Sequence, residues 1–136
     1  MMNSTLSGRC VLLVEDEPLL AWDLELALSE TGAIVVGPAS TLQSALALAQ
    51  ETNLAAAVID YCLGREEATP LAAFLHERGI PFIIHTGHGT PNNVPWKSAP
   101  VVYKPANPDR IVKMLEALVS RKNEELQLLA AQDQSG

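Results

Sequence analysis

Leu54-Ala55-Ala56-Ala57-Val58-Ile59-Asp60 is an apolar run closed by a carboxylate. A continuous apolar run this short suits a strand buried on both faces, and such strands belong to parallel sheets covered by helices. Three other runs have the same form. Val11-Leu12-Leu13-Val14 leads into Glu15-Asp16-Glu17, Phe82-Ile83-Ile84-His85 into Thr86, and Val101-Val102-Tyr103 into Lys104-Pro105. Each delivers a polar side chain at its carboxyl end.

From Arg9 onward these runs alternate with segments of helical period, which predicts five βα units and an α/β fold. Strand one is read over Cys10 to Val14, followed by a helix from Glu17-Pro18 to Gly32 with Leu19, Leu20, Leu24, Ala27 and Leu28 as its core stripe. Strand two is Ala33 to Gly37. Ser40-Thr41-Leu42-Gln43 reads as a capping box for a helix carrying Leu42, Ala45, Leu46 and Ala49. After the central strand a helix is expected from about Glu66 to Arg78, with Pro70 in its first turns and Gly79 at its end. Strand four is Pro81 to His85. Gly87, Gly89, Pro91, Asn92, Asn93 and Pro95 then leave room for a short or irregular fourth helix at most. Val101 to Tyr103 is the last strand. Asn107 caps a final helix with Pro108 at its first position, and Leu126, Leu128 and Leu129 would prolong it.

The chain has 136 residues, 48% of them hydrophobic, enough for one domain with a self-sufficient core. We expect a flexible N-terminus at 1–8, the domain at 9–122, and a helical extension with a frayed tail at 123–136. A net charge of −7 with nine scattered basic residues argues against nucleic acid as a partner. No stretch suits a signal peptide or membrane span, and Cys10 and Cys62 form no CxxC pair, so a cytoplasmic chain with reduced thiols is expected.

In an open parallel α/β sheet, ligands bind outside the carboxyl ends of the strands, which is where all these polar residues fall. Phosphoryl transfer to a carboxylate needs neighbouring negative charge neutralised, a task suited to Mg²⁺ with hard oxygen ligands. Asp16 and Asp60 can bind the metal, Glu15 can do so directly or through water, and the Cys62 backbone carbonyl can complete the protein's share. Asp60 is the expected nucleophile, with Lys104 and Thr86 stabilising charge on the phosphoryl oxygens. Plainer readings stand beside these. Glu17 is taken as a favourable residue at a helix N-terminus, Cys62 as small packing, and Trp22 and Trp96 as packing on their own domain. His85 and His88 lack a third metal ligand, and Gly87-His88-Gly89 reads as a flexible connection.

The segments Val14-Glu15-Asp16-Glu17-Pro18, Val58-Ile59-Asp60-Tyr61-Cys62-Leu63-Gly64, His85-Thr86-Gly87 and Tyr103-Lys104-Pro105 occur in an order and spacing that resembles the receiver domain of two-component response regulators, from Arg9 to about Ser120. That resemblance implies a flavodoxin-like (βα)5 three-layer sandwich with strand order 2-1-3-4-5. It also implies phosphorylation of Asp60 by a sensor histidine kinase, with signalling through a downstream protein or a homodimer. Pro81 to Gly89 is similar to the Thr-Gly loop of alphaproteobacterial single-domain receivers, which often work with kinases of the HWE or related classes. The expected function is a stand-alone phosphoacceptor, not an enzyme. The alternative is a pseudo-receiver adaptor that needs no phosphorylation. Four positions depart from the family pattern: Val101 stands where an aromatic switch residue is frequent, Cys62 and His88 flank the path of hydrolytic water, and Glu15 replaces the commoner aspartate. An electron carrier would need a Ser/Thr/Gly-rich loop after strand one, and an aspartate-nucleophile phosphatase a second Asp where Cys62 stands.

Overall fold

A computed structural model of the chain describes residues 4–87 and 99–135. Its strands are β1 (Cys10–Val14), β2 (Ile34–Ala39), β3 (Ala56–Ile59), β4 (Cys62–Leu63), β5 (Glu66–Glu67), β6 (Phe82–Thr86) and β7 (Val101–Tyr103). The helices are α1 (Pro18–Glu30), α2 (Leu42–Glu51), α3 (Thr69–Glu77) and α4 (Pro108–Ser135). Five strands form one parallel sheet in the order β2-β1-β3-β6-β7, the flavodoxin-like order expected. The anticipated irregular fourth helix, with His88 and Trp96, lies outside the described residues.

Alternation along each strand splits the core into two layers. Leu12, Val14, Ala57, Ile59 and Ile84 pack against Ala45 and Ala49 of α2 and Leu71, Ala72 and Leu75 of α3. Val11, Leu13, Ala56, Val58 and Ile83 pack against Leu24, Ala27 and Leu28 of α1 and Ile111, Leu115 and Val119 of α4. Two-sided burial explains why these strands carry unbroken apolar runs.

β2 runs along one edge of the sheet, and there the pairing with β1 slips between Leu12 and Val14. Gly37 sits at the slip with φ +107, and an added Cβ would lie 2.7 Å from the Leu13 carbonyl oxygen. Only glycine lets the backbone come so close. Gly79 ends α3 as expected, with φ +68 and its N–H donating to the His76 carbonyl at 3.1 Å.

Several local expectations are corrected. The helix anticipated from Glu66 begins at Thr69, because Cys62–Leu63 and Glu66–Glu67 pair as an antiparallel hairpin. The Tyr61 hydroxyl holds that arrangement, donating to Glu67 Oε2 at 3.0 Å and lying 2.8 Å from Thr69 Oγ1. The α2 cap is Thr41 and not Ser40, its Oγ1 accepting from the Ser44 N–H at 3.1 Å. In α1 the buried face is Ala21, Leu24, Ala27 and Leu28, while Leu19 is 83% exposed. The N-terminal stretch packs on the domain from Ser4 onward. Leu6 is fully buried, Ser4 Oγ bonds to Glu116 Oε2, and Thr5 Oγ1 donates to the Glu116 carbonyl at 3.2 Å. At the other end α4 continues to Ser135 without a break, through most of the 123–136 stretch where a helical extension with a frayed tail was expected. The Asn107 cap is as anticipated, its Oδ1 accepting from the Asp109 N–H at 2.9 Å.

Candidate functional site

Register brings the polar strand ends together. Val14 pairs with Ile59, so Glu15 and Asp60 leave adjacent strands side by side, and the Asp60 N–H donates to the Val14 carbonyl at 2.9 Å. On the other side of β3, Ile59 pairs with Ile84, which sets Thr86 beyond Asp60 on the neighbouring strand. Thr86 pairs with Tyr103, and the Lys104 N–H donates to the Thr86 carbonyl at 2.8 Å. Four side chains from four strands thus share the carboxyl edge of the sheet.

Lys104 is the hub. Its ammonium donates to Asp60 Oδ2 at 2.8 Å and to Glu15 Oε2 at 3.2 Å, and it makes an ion-pair contact with Glu15 Oε1 at 2.9 Å. Glu17 Oε1 lies 3.5 Å away on the exposed rim. The Lys104, Asp60 and Glu15 side chains are 13%, 5% and 1% exposed, so these contacts are little screened by water. Burial alone would lower the Lys104 pKa, but hydrogen bonds to Asp60 and Glu15 outweigh it and push the pKa well above the ordinary lysine range. Glu15 moves the other way for a carboxylate. Burial and the proximity of Asp60 raise it to about 7 despite Lys104.

Backbone donors complete the acid cluster. The Cys62 N–H reaches Asp60 Oδ1 at 3.1 Å, and the Gly64 N–H reaches Asp16 Oδ2 at 3.1 Å. The hairpin is therefore held against the site by the acids themselves. Oxygens of Glu15, Asp16 and Asp60 lie within 4.8 Å of one another, a spacing and donor set that fit one hard divalent cation. Thr86 is fully buried at the same edge. Cys62 has its thiol pKa raised by burial and by the Asp60 charge, which agrees with packing and not with a reactive thiolate. Val101 packs against the layer of α2 and α3, and Tyr103 is 52% exposed.

Two neighbours were not assigned to the site from sequence. Glu17, read as a helix-terminus residue, also faces Lys104. His85 is buried with Nδ1 4.0 Å from Glu15 Oε1 and neither ring nitrogen hydrogen-bonded among the described residues. Burial and the Lys104 charge lower its pKa, so the ring is neutral near pH 7 and the contact is not an ion pair. Strand parity could have placed His85 on the face of α1 and α4, but not its depth beside Glu15.

No protein-family model matches the chain, and no curated protein matches it. Solved structures do. SdrG from Sphingomonas melonis Fr1 is 37% identical with a TM-score of 0.69, over 85% of this chain and 98% of that one. The response regulator PhyR from Brucella abortus is 27% identical with a TM-score of 0.74, over 95% of this chain but 54% of that protein. A CheY-like response regulator receiver domain protein from Methanospirillum hungatei JF-1 shares the fold at 23% identity and a TM-score of 0.78, over 88% and 99% of the two chains. With a fold common to solved receivers along most of its length, and more than a third of the aligned residues identical to SdrG, the chain belongs to the response-regulator receiver domains.

Proposed function

We propose that Asp60 accepts a phosphoryl group from a phosphohistidine of a sensor histidine kinase, with Mg²⁺ required, and that the signal passes on through protein–protein contacts. One observation carries this reading: the Lys104 ammonium is fixed 2.8 Å from the buried Asp60 carboxylate at the carboxyl edge of the sheet. Glu15, Asp16 and Asp60 would hold Mg²⁺, with the Cys62 backbone carbonyl. When bound, the ion supplies positive charge that lowers repulsion between a carboxylate and an incoming phosphoryl group. An Asp60 oxygen forms a bond to phosphorus as the N–P bond of phosphohistidine breaks, and the electron pair of that bond stays with the imidazole. Lys104 and Thr86 then receive the charge on the phosphoryl oxygens. The chain is thus a phosphoacceptor that assists its own phosphorylation and dephosphorylation, not a turnover enzyme.

Incubation with acetyl phosphate and Mg²⁺, read by intact mass, tests the proposal. We expect an acid-labile gain of about 80 Da, absent when Mg²⁺ is chelated. No gain from acetyl phosphate or from a phosphorylated kinase would favour a phosphorylation-independent adaptor.

The elevated Glu15 pKa of about 7 gives the metal step a pH dependence. The cation takes the ionised carboxylate, so below that pKa a proton must leave first. Apparent Mg²⁺ affinity is expected to rise about tenfold from pH 6 to pH 8 and then level off. Calorimetric titration should find this slope in the wild type and lose it in Glu15→Gln; a flat wild-type profile would contradict the assignment.

A docking face for the donor lies next to the acids. Leu19, Trp22 and Leu26 of α1, spaced to share one helix face, are 83%, 67% and 50% exposed. This face begins two residues after Glu17, so a protein resting on it could present a phosphohistidine to Asp60. Trp22→Asp should slow transfer from a phosphorylated kinase at least about tenfold, as loss of an aromatic anchor does, while uptake from acetyl phosphate stays unchanged. Equal slowing with both donors would assign Trp22 to folding instead.

A further inference from the structure

At the opposite edge of the sheet from Asp60, α4 outruns the domain it packs on. It has 28 residues, about 42 Å at 1.5 Å each, and every residue from Glu124 to Gln132 is exposed. An isolated helical stretch this short is marginal in water. The spacing of the buried face nonetheless continues: Val112, Leu115 and Val119 are succeeded by Lys122, Leu126 and Leu129 at alternating intervals of three and four, apolar at every step but Lys122. The first three are at most 7% exposed, whereas Leu126 and Leu129 are 53% and 59% exposed. The core stripe of the domain therefore runs on into solvent as a coiled-coil seam.

We propose that this seam pairs with the same segment of a second copy, and that the two helices run antiparallel. Charge sets the direction. A parallel pair would bring two Lys122 ammonium groups face to face across the seam. An antiparallel pair that sets Leu126 against Leu129 of the second copy puts Lys122 level with position 133, an aspartate in the sequence. The end of each helix then arrives at a cleft of about 670 Å³ beside the other copy's strand starts. Arg9, Arg78 and Lys122 line it, with Glu51 the single acid among the described lining residues. Because α4 is anchored in the domain through Val119, its extension does not bear the full cost of helix nucleation.

Sedimentation equilibrium on the full chain tests this. We expect reversible dimerisation within about 10–500 µM, and a monomer throughout that range for the double variant Leu126→Glu, Leu129→Glu. That variant should keep wild-type thermal unfolding and acetyl phosphate uptake, which separates lost pairing from lost folding and from failure of the phosphoacceptor reading. Lys122→Glu and Asp133→Lys should each weaken the dimer at least about fivefold, and the two together should restore it. A monomeric wild type, a dimer unaffected by the leucine changes, or no restoration by the double charge swap would overturn the proposal.

Discussion

Asp60→Asn should abolish phosphoryl uptake from every donor. Asp60 meets Lys104 at 2.8 Å while its other oxygen accepts the Cys62 N–H at 3.1 Å, so its position is defined from both sides. Glu15 is no less buried than Asp60, but its pKa is raised to about 7, so near neutral pH it is only partly ionised and a poorer nucleophile. Asp16 is exposed and directed to the Gly64 N–H. The substitution also removes one of several clustered negative charges and leaves Lys104 paired with Glu15, so stability should stay within about 1 kcal/mol of wild type. Intact mass under acid-free conditions and thermal unfolding check both halves. A persisting adduct of unchanged amount would move the acceptor elsewhere.

Lys104→Met should have the largest effect on stability and a large one on transfer. It leaves two buried carboxylates facing each other without their cation, the arrangement that makes breaking a buried pair costly, at about 3–5 kcal/mol. The cost depends on pH with a definite sign. A carboxyl group whose folded-state pKa lies above its unfolded value binds more protons when folded, so stability rises as pH falls through that range. Glu15 is already raised to about 7 with Lys104 present, and losing the lysine removes an interaction that lowers it. The deficit should therefore be largest near pH 8 and shrink toward pH 5, and Mg²⁺ should recover part of it by binding the folded state. Urea unfolding at both pH values checks this. Transfer from acetyl phosphate should slow about 100-fold or more for want of the ammonium at the phosphoryl oxygens. A deficit independent of pH would mean that the acids are not the ones left unpaired.

The sheet and its polar edge were legible because a buried parallel strand cannot hide. Val11 to Val14 and Ala56 to Ile59 are apolar on both faces, and the first polar residue after each run necessarily lies at an edge of the sheet. Strand order then needed the family resemblance, since composition does not say which strands adjoin. The hairpin at Cys62 to Glu67 was missed for a physical reason. Two-residue strands carry no period, and Glu66-Glu67 looks like a helical first turn until Tyr61 is seen bonding across it. The α1 stripe was read correctly at Leu24, Ala27 and Leu28 but not at Leu19, because the helix is apolar on two faces and its sequence does not say which one meets the core. Leu19, Trp22 and Leu26 became visible as a separate face only once the helix was docked through Leu24 and Leu28. In the site, Asp16, Asp60, Thr86 and Lys104 could be picked out from their position at strand ends. The depth of His85 and the reach of Glu17 to Lys104 depend on rotamers and packing that strand parity does not encode.

If the carboxyl ends of β1, β3, β6 and β7 form one phosphorylatable centre, they must respond together when Asp60 is modified. Amide chemical-shift mapping with Mg²⁺ and beryllofluoride, an aspartyl-phosphate mimic, tests it most directly. We expect the largest shifts at Glu15 to Glu17, Asp60 to Gly64, Thr86 to Gly87 and Lys104, and none of comparable size in Asp60→Asn. Shifts confined to the cleft beside Arg9 and Arg78, or unchanged in Asp60→Asn, would contradict it.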